Sequence, residues 1–234
     1  MHRNDFGKRL SEGVSAKLEF DWVCERGNSF SENYLHGAIN EILGALVAPS
    51  DHRIHAGFPH PVLKRAPGSG GGRQKEVDFE VQPYDEYEKG LTVEAKWADS
   101  GYCKWDTVLL DLCRLHLIAH ANRNAECLFV LAGSSAKVEE VIEELRRKLP
   151  ERRGKGATRG VLEMPGENEI TYQRAYDLFD WAGRFVGNGL VSDGLPKNRR
   201  GRPDLQRTLR STLVKSTLSP AQRWQTVVWR VTAR

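Results

Sequence analysis

The chain has 234 residues, of which 39% are hydrophobic and 28% are charged, a composition typical of one or two globular domains. No apolar run approaches the ~18 residues of a membrane-spanning helix, and the N-terminus lacks the apolar core of a signal peptide. The four cysteines include no CxxC pair. We therefore expect no membrane partner and a cytoplasmic protein with reduced thiols.

The charge is unevenly distributed along the chain. Residues 196–234 contain ten Lys/Arg and a single acid, Asp204, which gives this segment a charge of +9. Because the whole chain carries +4, residues 1–195 carry −5. A basic tail on an acidic body favours a polyanionic partner, although a solvated surface would have the same composition.

The first strongly periodic segment is residues 30–47, where Leu35, Ile39, Leu43 and Leu46 recur with the period of a helix. Either Ser29 or Ser31 is suited to cap its N-terminus. Glu32 lies within about 60° of the apolar stripe, so we expect it to face inward, where a carboxylate needs a partner. Glu41 lies on the opposite, solvated face.

Two short alternations follow an irregular stretch at 52–64, in which one strand is expected. Residues 75–82 and 90–97 have the period of two and the flanking turn residues of a β-hairpin. Residues 104–121 predict a helix that is apolar over most of its surface and therefore buried. Residues 127–133 predict a strand covered on both faces.

In the remainder of the chain the hydrophobic residues recur less regularly. Residues 134–149 indicate an amphipathic helix that begins at a serine cap and ends in a basic turn. A further helix is expected near 170–186, and residues 208–219 and 225–234 have the composition of late strands. We place a core in residues 1–150 and a C-terminal extension, packed on the same domain, in residues 151–234.

The hairpin carries regularly spaced charges. Alternation puts Val77, Phe79 and Val81 on one face of the first strand, and Asp78, Glu80 and Gln82 on the other. In the second strand, Thr92, Glu94 and Lys96 share a face. A turn centred near Glu86 would place Asp78 opposite Glu94, and like charges in that position are destabilising unless a bulge or a divalent cation relieves them. Oxygen ligands of this kind suit Mg²⁺.

Asp78 is followed, after fifteen residues, by the sequence Glu94-Ala95-Lys96. Together with Val77-Asp78, this spacing resembles the motif of the PD-(D/E)xK nuclease superfamily. The resemblance covers residues 30–133, and Val77 stands where the family name has proline. It implies an α/β fold: a restriction-endonuclease-like αβββαβ core with a central mixed sheet flanked by helices, plus a C-terminal appendage.

The resemblance also implies an activity. Asp78, Glu94 and the carbonyl of Ala95 would hold Mg²⁺, or Mn²⁺ in its place, and Lys96 would act on the attacking water or on transition-state charge. Glu32 resembles a glutamate that several families carry on the first helix and that reaches the metal site, so it would complete the metal shell, directly or through water. The implied protein is a metal-dependent endonuclease acting on DNA, with RNA as the other substrate, in restriction, repair or phage defence. A catalytically idle binding or interaction module on the same fold is the alternative.

Four further expectations accompany these residues. Cys113, His116 and His120 share a helix face suited to zinc, but we interpret them as core residues. Asp111 and Arg114 resemble a D-x-x-R-L sequence on the helix that follows the motif strand, and a simple ion pair would explain them equally. A homodimer would suit double-strand cleavage. The nucleic-acid backbone is expected to contact the basic tail through Lys197, Arg199, Arg200, Arg202, Arg207 and Arg210.

Overall fold

A computed structural model describes residues 6–64, 74–85, 90–122, 124–148, 162, 173–177 and 208–233, with the backbone alone at 173–177, Thr208 and Arg210. The described part contains four α-helices: α1 (Phe6–Val23), α2 (Glu32–Leu46), α3 (Trp105–Ala121) and α4 (Ser135–Lys148). Its strands are β1 (His52–Phe58), β2 (Val77–Pro83), β3 (Leu91–Trp97), β4 (Glu126–Ser134), β5 (Gln173–Asp177), β6 (Thr208–Leu218) and β7 (Trp224–Thr232).

The strands form one mixed sheet in the order β1-β2-β3-β4-β7-β6-β5. Among the described strands, β3 and β4 pair in parallel, and every other neighbouring pair is antiparallel. Parallel pairing requires a crossover, and α3 supplies it between β3 and β4. The late strands β6 and β7 extend the sheet beyond β4.

Helices cover both faces of this sheet. Along β4, Cys127, Phe129 and Leu131 pack in a core cluster with α3 and α4, whereas the alternate residues Leu128 and Val130 pack with α1 and α2. This is the continuous apolar run expected of a strand buried on both sides. This arrangement confirms the predicted α/β class.

None of the described helices is long and apolar enough to cross a membrane.

Local sequence signals located α2 correctly. Its N-cap is Ser31, whose hydroxyl accepts a hydrogen bond from the Tyr34 backbone N–H. Leu35, Ile39 and Leu43 form the buried stripe. The helix therefore begins with Glu32 in its first turn, on the side of the sheet that α1 also covers.

The hairpin has the predicted register but pairs over a short distance. The partners are Phe79–Val93, Glu80–Thr92 and Val81–Leu91, and no pairing continues beyond Phe79 towards the start of β2. On the other side of β2, Gly57 of β1 has φ +61°, a conformation that favours glycine. Both ladders of β2 are thus irregular next to Asp78.

This irregularity overturns one expectation about the faces of β2. Val77 packs in the cluster with α3, while Phe79 packs in the cluster with α1 and α2. The prediction that they share a face is wrong, because β2 pairs with β3 only as far as Phe79 and its regular alternation does not continue to Val77. Asp78 lies between these two residues, where the alternation is interrupted.

The C-terminal predictions are partly corrected. The late strands are confirmed as β6 and β7. The helix expected near 170–186 is wrong for residues 173–177, which form β5 and pair antiparallel with β6. A ladder partner decides the conformation of such a short segment, whatever its helical periodicity. The other residues of that expected helix lie outside the described part of the chain.

Candidate active site

The centre of the charged cluster is Lys96, on β3. Its Nζ atom lies 3.3 Å from Glu32 Oε1 on α2 and 3.2 Å from Asp111 Oδ2 on α3. The two helices cover opposite faces of the sheet, so Lys96 joins residues that approach from both sides. Burial alone would lower the pKa of Lys96, but the carboxylates of Asp111 and Glu32 raise it above its ordinary value. The lysine is therefore held in its charged form.

Asp78 occupies the gap where β2 diverges from β3. Its Oδ2 atom accepts a 2.7 Å hydrogen bond from the backbone N–H of Ala95, which has no β2 partner there. The N–H and C=O of one strand residue point towards the same edge. The carbonyl of Ala95 therefore faces the Asp78 side of β3 as well.

The ionisation of Asp78 reflects these contacts. Burial alone would raise the pKa of its carboxyl, but His36, at 3.6 Å, and the Ala95 N–H together hold the pKa below the ordinary value. Asp78 is thus a carboxylate at neutral pH, directed into the gap between the two strands.

Glu94 is the most buried acid of the cluster, with a side chain 2% exposed. Arg114 lies 3.9 Å from its Oε1 atom, and this oxygen has no hydrogen-bond partner among the residues that the structure describes. Burial raises the pKa of Glu94 well above its ordinary value, and the charges of Asp111 and Asp78 raise it further. A buried carboxyl in this situation is stabilised by any additional positive charge nearby.

Asp111 and Arg114 form the α3 side of the cluster. Arg114 Nη1 donates a 2.8 Å hydrogen bond to Asp111 Oδ1, and both side chains are largely buried. Asp111 is therefore hydrogen-bonded to Arg114 through Oδ1 and ion-paired with Lys96 through Oδ2. The pair is therefore part of the cluster and is more than an isolated ion pair along one helix.

The balance of charge and donors is compatible with a cation. Two permanent cations, Lys96 and Arg114, face a larger set of acids, which are Glu32, Asp78, Glu94 and Asp111. The unpartnered Glu94 oxygen, the Asp78 carboxylate and the Ala95 carbonyl are oxygen donors of the kind Mg²⁺ takes. Within the described residues, however, no three His, Cys, Asp or Glu side chains are already placed to surround a metal ion.

Glu80, considered as a substitute for Asp78, has a different environment. It is buried, and its Oε2 atom accepts a 2.6 Å hydrogen bond from the hydroxyl of Thr92. Burial raises the pKa of Glu80 to about 7. Gln82 pairs with Arg53 of β1, on the other side of β2 from β3. The contacts of Glu80 and Gln82 are therefore with neighbouring strands of the sheet.

The zinc alternative on α3 gains no geometric support. Cys113 and His116 are buried, and burial lowers the pKa of His116 to about 4, so this imidazole is neutral at physiological pH. Cys113 packs in the hydrophobic cluster with α3 and α4, and His116 is fully buried, which agrees with the interpretation of both as core residues.

The expected nucleic-acid contacts lie mostly beyond the described residues: Lys197, Arg199, Arg200, Arg202 and Arg207. Arg210 lies in β6, where its backbone pairs with Ala175 of β5 and Thr232 of β7. The role of the basic tail stays a prediction.

Sequence reasoning missed one residue of the cluster, His36. It lies one helical turn after Glu32, so the i, i+4 spacing places both on one face of α2. That spacing was the available signal. It also missed the connection of Asp111 to Lys96, which no spacing along the chain encodes.

Comparison with protein-family models, with curated proteins and with solved structures gave no match. The functional argument therefore depends on the geometry of the charged cluster.

Proposed function

We propose that the protein is a metal-dependent nuclease that hydrolyses phosphodiester bonds of DNA. One observation carries the proposal. Glu32, Asp78, Glu94 and Lys96 come from three separate elements and contribute to one continuous electrostatic cluster at the gap between β2 and β3. The element order α2-β1-β2-β3-α3-β4 is also compatible with a restriction-endonuclease-like αβββαβ core.

Each residue of the cluster has its own proposed role in phosphodiester hydrolysis. Asp78, Glu94 and the Ala95 carbonyl would hold Mg²⁺, with Mn²⁺ as a substitute. When bound, the metal would activate water and offset the charge that develops on the phosphate. Lys96 remains protonated because Asp111 and Glu32 stabilise its charge, so it is suited to stabilise the same developing charge. Glu32 positions Lys96 through their 3.3 Å contact.

A second candidate function follows from a different feature of the same cluster. Lys96 is already ion-paired with two carboxylates, and the described side chains offer no completed three-ligand group. A nucleic-acid-binding or interaction module that has lost catalysis would have this arrangement. It would bind DNA without cleaving it, whichever divalent cation is supplied.

Lys96→Ala separates the two functions. We expect the wild-type protein to nick plasmid DNA with Mg²⁺ and to stop when EDTA is added. The variant should lose about 100-fold or more of the cleavage rate, since Lys96 is assigned to the transition state, while its DNA affinity stays nearly unchanged. Lys137→Ala, at an exposed lysine on α4, is the matched control.

Two results would contradict the nuclease. One is a Lys96→Ala protein that is folded by circular dichroism and cleaves at the wild-type rate. The other is a wild-type protein that binds DNA but cleaves it with neither Mg²⁺ nor Mn²⁺, and this result would support the binding module.

A further inference from the structure

Tyr102 is the most exposed large hydrophobic side chain among the described residues, at 85%. It lies in the short loop at 98–104, between β3, which carries Glu94 and Lys96, and α3, which carries Asp111. No role has yet been assigned to it. An aromatic ring that stays in water adds little to the stability of the fold, and most of its surface remains available to a ligand.

The backbone of Tyr102 is held in place although its ring is exposed. Its N–H donates to the Ser100 hydroxyl at 3.2 Å, and its carbonyl accepts from the Thr107 hydroxyl at 3.0 Å and from the Lys104 N–H at 2.9 Å. These hydrogen bonds do not use the ring. An aromatic side chain on a fixed backbone has few rotatable bonds to immobilise, so it loses little entropy when a flat ligand stacks on it.

The loop lies beside the charged cluster. Thr107, which binds the Tyr102 carbonyl, lies four residues before Asp111, so both are on one face of α3, ~6 Å apart along the helix axis. Asp111 in turn lies 3.2 Å from Lys96. The next residue, Cys103, is buried, and burial raises the pKa of its thiol to about 12, with the charges of Lys96 and Asp111 also acting on it. Tyr102 is therefore at the edge of the proposed active site.

The side chains of this loop match the chemistry of a single nucleic-acid strand. Lys104 is exposed and positively charged, which suits a phosphate group. Aromatic rings stack on the flat faces of bases, and in a duplex those faces are already covered by the neighbouring bases. A ring at the edge of the site can therefore stack only on a base that is unpaired.

We propose that Tyr102 stacks on an unpaired base next to the cleaved bond, so that the substrate is a nucleic acid with a single-stranded segment. The inference rests on the proposed function for the meaning of the site, whereas the stacking itself needs no cleavage. Stacking of one base on an aromatic side chain corresponds to about 5- to 150-fold in affinity.

The test measures binding without cleavage. Fluorescence anisotropy in EDTA gives the affinity for a labelled DNA single strand of ~20 nucleotides, longer than the ~4–16 nucleotides of such sites, and for the corresponding duplex. Tyr102→Ala removes the ring and keeps the backbone hydrogen bonds, whereas Tyr102→Phe keeps the ring. Tyr84→Ala is the matched control, because Tyr84 is 56% exposed and follows the far end of β2, ~20 Å from Asp78.

Tyr102→Ala should lower the affinity for the single strand about 5- to 150-fold and change the affinity for the duplex less than about twofold. The slope of log affinity against log salt should stay the same, because stacking releases no counterions. Tyr102→Phe and Tyr84→Ala should bind like the wild type. Equal single-strand affinities of Tyr102→Ala and wild type, an equal loss in Tyr102→Phe or for the duplex, or a wild type that binds no single strand would overturn the assignment.

Failure of this inference and failure of the nuclease give different results. Cleavage with Mg²⁺ by a wild-type protein whose single-strand affinity is unaffected by Tyr102→Ala would refute the role of Tyr102 and leave the nuclease in place. Selective loss of single-strand binding in Tyr102→Ala, in a protein that cleaves no DNA, would establish the stacking residue and refute the nuclease.

Discussion

The buried acid Glu80 is the basis of a prediction about stability that does not depend on the proposed activity. Its carboxyl lies inside the sheet, where the Thr92 hydroxyl donates a hydrogen bond to it, and among the described residues no cation forms an ion pair with it. Burial raises the pKa of Glu80 from the ordinary 4.5 to about 7. Glu80→Gln removes the ionisable group and keeps both the side-chain shape and an oxygen that can accept from Thr92.

The sign and size follow from proton linkage. Between pH 4.5 and about 7 the folded protein binds the Glu80 proton more tightly than the unfolded chain, so the contribution of Glu80 to stability falls as pH rises. A change in pKa from 4.5 to about 7 corresponds to about 3 kcal/mol in total. Most of that loss, about 2 to 3 kcal/mol, occurs between pH 5 and pH 8.

Urea denaturation of both proteins at pH 5 and pH 8 measures this quantity. Glu80→Gln should gain about 2 to 3 kcal/mol of unfolding free energy relative to wild type when the pH is changed from 5 to 8. Glu139→Gln, at an exposed position on α4, should show no such change and controls for the other titrating groups. An equal difference between Glu80→Gln and wild type at both pH values would refute the reasoning.

Two predictions test other parts of the nuclease hypothesis. Glu32→Gln should reduce cleavage about tenfold or more, because Glu32 contacts Lys96, whereas Glu41→Gln should change it little, because Glu41 is 67% exposed and pairs with Lys17. Equal effects in the plasmid assay would remove Glu32 from the active site. Changing Arg199, Arg200 and Arg202 together to Ala should weaken binding to all DNA sequences and reduce the slope of log affinity against log salt by about two to three. An unchanged slope in filter-binding titrations would place the DNA elsewhere.

Much of the local structure is determined by the sequence alone, because its causes lie within a few residues of each other. Helix α2 follows from the apolar spacing of Leu35, Ile39 and Leu43 and from the cap at Ser31. The register of the β2–β3 hairpin follows from the length of the connecting turn and the alternation of its strands. The candidate residues Asp78, Glu94 and Lys96 could be named because they lie on those strands.

The arrangement of the site was decided only by tertiary structure. Asp78 accepts a hydrogen bond from the Ala95 N–H because the pairing of β2 with β3 ends at Phe79, whereas alternation alone predicts that the strand continues evenly. Lys96 meets Asp111 because α3 crosses over the sheet before β4 begins. Such contacts join residues far apart in the chain, and their geometry depends on sheet twist and helix packing, which no periodicity in the sequence encodes.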